Sequence, residues 1–227
     1  MNKIICLLFL SFWIFSFQSQ ENMYPYSKWE KIDLRSIENS NNISFMDSTE
    51  KEIVHFCNLA RINPKLFCQT YLQDYLDSKE MDISNSYVAS LISTLNSIKP
   101  RNILYADSNL YEMAKYHAKT MGEKGAVGHN GFENRSKKFL KGKFGMLGEN
   151  CSYGEATAVD IFMSLLIDEG VSSLGHRNNI MTAEFTSVGI SIQPHEKYGV
   201  NCVMDFGFDS SKYTPKSFLQ KLMFWKK

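Results

Sequence analysis

Two of the five histidines in this chain occupy positions where an imidazole could do chemistry. His129 and His176 each follow a glycine in a segment of loop-like composition. Because glycine lets the backbone approach closely, such a ring is free to point into a cleft and bind a metal ion. His117 lies instead on the apolar stripe of a predicted helix, which favours a buried, hydrogen-bonded role. His55 and His195 are predicted to be solvent-exposed.

Three carboxylates occupy equally suggestive positions. Glu149 lies in a short polar segment directly after two apolar residues, and Asp168 and Glu169 close the predicted helix that precedes His176. An acid at the C-terminal end of a helix meets the negative end of the helix dipole, so a cation, a histidine or solvent must compensate it. On spacing alone these residues are a weak metal-site signal, because they could also brace the loops through hydrogen bonds.

The periodicity of apolar residues predicts several helices followed by a hairpin. The helical segments cover residues 49–62, 64–75, 87–98, 108–121 and 158–169. Gly170 is the predicted C-terminal cap of the last of these. The period then changes to two over residues 188–192 and 198–206, around a turn at 194–197. Without regular strand–helix alternation, this order predicts an α+β fold with helices packed against an antiparallel sheet.

Five short strings in this chain, taken in order, resemble the motifs of the CAP superfamily, also called the SCP domain. They are Asn58-Leu59-Ala60-Arg61, His117-Ala118-Lys119-Thr120-Met121 with Gly128-His129-Asn130, Gly148-Glu149-Asn150, Gly175-His176-Arg177-Asn178-Asn179-Ile180, and Val203-Met204-Asp205-Phe206-Gly207. The resemblance runs from about Lys51 to Phe208, and the fourth string is closest to the bacterial branch of the family.

The resemblance implies an α-β-α sandwich in which a central antiparallel sheet lies between helices. It also implies a cleft lined by His129, Glu149, His176 and either Asp168 or Glu169. Members of the family can hold a divalent metal between the two histidines, with acids and water around it. Two neutral imidazoles with open positions suit Zn²⁺, and carboxylates behind the rings would orient them.

Two classes of function are compatible with such a cleft. The first is a binding protein that holds a lipid, a sterol, a peptide or another partner. The alternative is a metal- or acid/base-dependent hydrolase in which Glu149, Asp168 or Glu169 would be catalytic and Glu149 would activate water. No G-x-S-x-G motif supports an acyl-enzyme mechanism. We prefer binding, because a resemblance carries fold and site geometry more reliably than activity.

The N-terminal residues predict export. Lys3 precedes an apolar run from Ile4 to Phe17, which is shorter than the roughly 20 apolar residues of a membrane span. Residues 1–20 are therefore predicted to be a cleavable signal peptide, and the protein is expected to be secreted, periplasmic or extracellular. The formal net charge of +1 gives no electrostatic case for binding nucleic acid.

Four cysteines follow the predicted signal peptide. An even number in an exported chain predicts two disulfides, and the alternative is four buried free thiols. Cys57 and Cys68 flank a helix break and could meet if the two helices fold back on each other. The expected pairs are therefore Cys57–Cys68 and Cys151–Cys202.

After the predicted signal peptide, the sequence divides into one predicted domain and two flanking segments. Residues 21–47 are predicted to be a lead-in segment without a core of its own, residues 48–208 the CAP domain and residues 209–227 a basic amphipathic tail. Lys216, Lys221, Lys226 and Lys227 supply positive charge in the tail, and its apolar residues Phe218, Leu219, Leu222 and Met223 fall at helical spacing. The tail could contact an anionic membrane surface, but we prefer packing on the domain with the lysines in water.

Overall fold

The computed structural model describes Trp29 and residues 43–212. The predicted signal peptide, most of the lead-in segment and the tail after residue 212 lie outside the described residues. Within the described part of the chain, no helix has the length and apolar character that a membrane crossing requires.

The order of elements follows the predicted pattern of helices first and a hairpin last. The elements are α1 (Ser48–Ile62), α2 (Pro64–Phe67), a π-helical turn (Cys68–Leu72), α3 (Gln73–Ser78), α4 (Ser86–Ser97), β1 (Tyr105–Ala106), α5 (Ser108–Glu123), α6 (Phe132–Leu140), β2 (Leu147–Tyr153), α7 (Ala158–Ile167), α8 (Gly175–Met181), β3 (Ser187–His195), β4 (Gly199–Gly207) and a 3₁₀ turn (Ser210–Lys212). The helices α6 and α8 and the strands β1 and β2 were not predicted, because their residues lack a clear apolar period.

The four strands form one sheet in the order β1-β3-β4-β2. β3 and β4 form the predicted antiparallel hairpin, and β2 adds antiparallel to the other side of β4. The two-residue strand β1 pairs with β3 in parallel. The α+β class and the antiparallel centre of the sheet are thus confirmed, with β1 as a short parallel addition.

Side chains of the hairpin alternate between two packing layers, as a strand requires. Cys202, Met204 and Phe206 of β4 belong to the large apolar cluster that contains much of α1 and α7. Val203 lies on the opposite face, in a smaller cluster with alanines of α5. Gly189 of β3 lets α5 approach closely, because a Cβ there would lie 2.0 Å from a backbone nitrogen of that helix. The chain is an α-β-α sandwich, as predicted.

A buried arginine ties the first helix to the end of α8. The side chain of Arg61 is fully buried, and its guanidinium donates hydrogen bonds to four backbone carbonyl oxygens. The acceptors and distances are Asn102 (2.8 Å), Ile180 (2.7 Å), Thr182 (2.8 Å) and Phe185 (2.8 Å). The Arg61 side chain therefore fixes the C-terminal end of α8, the helix that carries His176.

The predicted disulfides are wrong, because all four cysteines of the described chain are free and buried. Cys151 and Cys202 lie on paired strands but one position out of register, so their side chains point to opposite faces of the sheet. Cys57 and Cys68 pack in the large apolar cluster, where a thiol serves as a small apolar side chain. The Cys68 sulfur accepts a long hydrogen bond from Asn96 (3.7 Å).

Candidate functional site

The first histidine of the predicted cleft pairs with the acid of β2. His129 Nδ1 lies 2.8 Å from Glu149 Oε1. The ring sits in the loop between α5 and α6, where Gly128 (φ +96°) and Gly131 (φ +73°) have left-handed backbone that only glycine adopts readily. The His129 side chain is 51% exposed and that of Glu149 is 3% exposed. The imidazole therefore reaches solvent while its carboxylate partner lies beneath it.

Glu149 is held as a buried anion by a second partner. Arg135 Nη2 of α6 donates to Glu149 Oε2 at 2.5 Å, and the Arg135 side chain is itself buried. Burial raises the pKa of Glu149, but the hydrogen bond with His129 and the charges of His117 and Arg135 outweigh burial and lower it below the ordinary value. Glu149 is thus ionised at neutral pH with both carboxylate oxygens engaged.

The second histidine pairs with the acid that ends α7. His176 Nδ1 lies 2.7 Å from Asp168 Oδ1, and the backbone N–H groups of His176 and Arg177 donate to Asp168 Oδ2 at 2.9 and 3.2 Å. These partners supply the compensation expected for an acid at a helix C-terminus. Glu169 is exposed and accepts a hydrogen bond from Asn85 at 2.7 Å. The structure therefore places Asp168, and not Glu169, against the histidine.

The backbone at Asp168 explains this choice between adjacent acids. α7 ends at Ile167, and Asp168 is its C-cap with φ +61° and ψ +38°. The predicted cap at Gly170 is therefore wrong by two residues. Arg177 holds this turn, since its side chain donates to the carbonyl oxygens of Leu166 (2.9 Å) and Ile167 (2.6 Å).

Two asparagines join the histidine–acid pairs across β2. Asn150 Nδ2 donates to the His176 carbonyl oxygen at 3.0 Å. Asn179 Nδ2 donates to Asn150 Oδ1 at 2.8 Å and to the Glu149 carbonyl oxygen at 3.2 Å. The strand β2 thus carries Glu149 and also anchors the helix of His176. That His129 and His176 lie within reach of one ion stays a prediction.

A polar pocket of about 200 Å³ opens beside the second pair. It lies between the end of β2 and the end of α7. Its lining residues are Cys151, Ser152, Tyr153, Glu155, Ser164, Leu165, Asp168, Glu169, Val171 and His176. Both adjacent acids line the pocket, and His176 gives it an imidazole with a 22% exposed side chain. The pocket is therefore a concave surface in direct contact with the His176–Asp168 pair.

A buried group of three residues could also hold a metal ion. Ligand atoms of His117, Glu149 and Cys151 all lie within 4.8 Å of one another. Their present partners fit an ion poorly, because His117 Nε2 already bonds the Gly128 carbonyl oxygen at 2.8 Å and Arg135 already balances Glu149. Burial raises the pKa of the Cys151 thiol, which keeps it protonated.

The remaining histidines have structural roles. His117 is buried and hydrogen-bonded, as predicted. The prediction of an exposed His195 is wrong, because that ring is buried and its Nε2 bonds the Ala126 carbonyl oxygen at 2.8 Å. His55 is partly buried, against the predicted exposure.

The sequence did not reveal two charged residues of this site. Arg135 lies in the unpredicted helix α6, and nothing in its neighbourhood distinguishes it from the lysines that follow it. Asp205 lies on β4 directly opposite Glu149. The sequence did contain a signal for Asp205, because it is the charged residue within a strand of alternating apolar residues.

The layers define an α-β-α sandwich in which two histidine–acid pairs are connected through the edge strand β2. The family model described as CAP, the cysteine-rich secretory protein family, matches residues 97–206. This match covers 110 of the 227 residues and confirms the resemblance that the motifs predicted. No curated protein sequence matches the chain.

Solved structures of three proteins are similar to this chain. An extracellular protein containing an SCP domain from Bacillus anthracis is 20% identical with a TM-score of 0.41, over 54% of this chain and 39% of that protein. An outer surface protein of Borrelia burgdorferi is 21% identical with a TM-score of 0.42, over 57% and 97% of the two chains. Venom allergen-like protein 4 of Schistosoma mansoni is 16% identical with a TM-score of 0.46, over 76% and 99%.

Proposed function

We propose that this protein is an exported binding protein whose cleft holds a divalent cation, preferably Zn²⁺, together with an extracellular ligand such as a lipid, a sterol or a peptide. One observation carries the proposal. His129 and His176 each engage a carboxylate through Nδ1, at 2.8 and 2.7 Å. In each ring Nε2 is therefore the nitrogen left to coordinate a metal. A carboxylate behind a metal-binding imidazole is the common arrangement at zinc sites.

The histidines and the acids of the two pairs would have different roles at the metal. His129 and His176 would hold the ion, while Glu149 and Asp168 fix the rotation and the protonated nitrogen of each ring. A bound Zn²⁺ supplies Lewis acidity and an open coordination position that can accept an oxygen atom of a ligand. The pocket between β2 and α7 offers polar contacts next to that position.

The hydrogen bonds already made by Glu149, Asp168 and Glu169 favour a binding function over hydrolysis. A general base needs a free oxygen within reach of the water that it activates. Both oxygens of Glu149 contact His129 or Arg135, and both oxygens of Asp168 accept bonds from the start of α8. Glu169 bonds Asn85 at the surface. These contacts support an orienting role for the acids. Export is supported by the predicted signal peptide and by the match to the cysteine-rich secretory protein family.

Isothermal titration with Zn²⁺ tests this function. We expect one ion per chain and, for His129→Ala and for His176→Ala, an increase in Kd of at least tenfold, because each change removes a ligand. Glu149→Gln and Asp168→Asn should weaken binding about 10–100-fold, as losses of orienting partners do.

The control is His55→Ala, which removes a histidine from α1, outside the cleft. It should leave the Kd unchanged. Wild-type affinity in His129→Ala and His176→Ala would exclude the cleft as the metal site.

A further inference from the structure

Asp205 is a buried acid whose hydrogen-bonding capacity the described structure leaves unmet. It lies near the end of β4 with no exposed surface. Neither carboxyl oxygen has a hydrogen-bond partner within the described residues. Buried polar groups are almost always paired, so an unpaired carboxyl indicates a missing proton, water or ion.

The register of the sheet places this acid against the site. Asp205 and Glu149 are direct cross-strand partners of β4 and β2, so their side chains share one face of the sheet. That face is the one covered by α5 and α6. The titratable and charged groups that influence the two acids are Cys151 of β2, His117 of α5, Arg135 of α6 and His129 of the intervening loop.

The charges around this pair do not balance if both acids are ionised. Arg135 is the permanently charged cation of this group, and it is already bonded to Glu149 Oε2 at 2.5 Å. Two facing carboxylates both accept hydrogen bonds and neither donates, so they repel each other. If one of the two carboxyl groups is protonated, the repulsion is removed and that group can donate a hydrogen bond to the other.

We propose that Asp205 is protonated in the folded protein and donates its hydrogen to the Glu149 carboxylate, so that Asp205 acts as a positioning residue for Glu149. Burial, and then the negative charge of Glu149, raise the pKa of Asp205 well above its ordinary value. Glu149 keeps the single negative charge and is held by donors from His129, Arg135 and Asp205. The protonation stands on its own, whereas its effect on the metal site through His129 rests on the proposed function.

The protonation predicts a pH dependence of stability with a definite sign. The folded pKa of Asp205 is raised, so its stabilising contribution is present below the unfolded pKa and is lost as pH rises toward the folded pKa. Over that window the folded state binds one more proton than the unfolded state. Relative to Asp205→Asn, the folding equilibrium constant of the wild type should fall up to about tenfold per pH unit.

Urea denaturation at a series of pH values measures this difference, and Asp74→Asn controls for the loss of an exposed carboxyl. An infrared spectrum at pH 7 should also show the C=O band of a protonated carboxyl in the wild type and in Asp74→Asn, and lose it in Asp205→Asn. An identical pH slope in wild type and Asp205→Asn, or the absence of that band from the wild type, would overturn the proposal.

Two replacements of Asp205 distinguish a positioning role for Glu149 from a purely structural role. The asparagine amide can still donate to Glu149, whereas alanine cannot. We expect Asp205→Ala to weaken Zn²⁺ binding about tenfold more than Asp205→Asn, since it removes a partner behind the ligand. Equal affinities in the two variants would contradict the positioning role. A wild type that shows the carboxyl band but binds no Zn²⁺ would defeat the proposed function and leave the protonation standing.

Discussion

Replacing Arg61 with methionine is expected to destabilise the fold by at least about 4 kcal/mol, because four backbone carbonyl oxygens, all buried or partly buried, lose their donors at once. The four hydrogen bonds are 2.7–2.8 Å long. Burial lowers the pKa of Arg61 to about 10, so the guanidinium is charged at neutral pH and its bonds are of the stronger, charge-assisted kind. A loss of this size is a large part of the total stability of a typical domain.

Urea denaturation at pH 7 measures the effect of Arg61→Met. Lys65→Met is the matched control, because it removes a cation from the exposed surface of α2 and should change stability little. If Arg61→Met unfolds within about 1 kcal/mol of the wild type, the carbonyl oxygens have found other donors and the tie between α1 and α8 is not required.

Replacing Arg135 with methionine is expected to cost about 3–5 kcal/mol, because it leaves Glu149 as an uncompensated buried charge. The side chains of Arg135 and Glu149 are only 5% and 3% exposed. The double variant Arg135→Met/Glu149→Gln removes the charge as well and should recover part of the loss. Lys137→Met is the control on the same helix, since its ion pair with Glu133 is exposed and contributes little.

The loss in Arg135→Met should depend on pH in a definite direction. The folded pKa of Glu149 is lowered, so its stabilising contribution is present above the unfolded pKa and is lost as pH falls through the folded pKa. Without Arg135 that pKa rises. The deficit of the variant in urea denaturation should therefore be largest near neutral pH and shrink on acidification. A deficit that stays constant with pH would assign the loss to packing and not to charge.

The apolar periods and the ordered motifs were sufficient to predict the class of fold, and they singled out the residues of the two histidine–acid pairs. Helical stripes located α1, α4, α5 and α7, and the change to a period of two located the hairpin. The motif residues have physical roles that explain why they occur together. Arg61 and Asn179 connect α8 to its neighbours, and Glu149 and His176 belong to the two histidine–acid pairs.

The remaining details depended on backbone geometry that sequence patterns do not specify. Asp168 contacts His176 because it takes a left-handed C-cap, whereas the neighbouring Glu169 points to Asn85. The strand register decided that Cys151 could not reach Cys202. Arg135 and Glu149 lie 14 residues apart, on a helix and a strand that have no clear apolar period, so nothing in the sequence placed them together.

Nitrogen chemical shifts of the histidines test the shared metal site most directly. The measurement uses ¹⁵N-labelled protein before and after one equivalent of Zn²⁺, with His129→Ala and His176→Ala for assignment. We predict that Nε2 of both His129 and His176 moves to the metal-bound range while Nδ1 of each stays protonated against its carboxylate. A metal-bound shift at His117, or at only one of the two cleft histidines, would contradict a Zn²⁺ ion held between them.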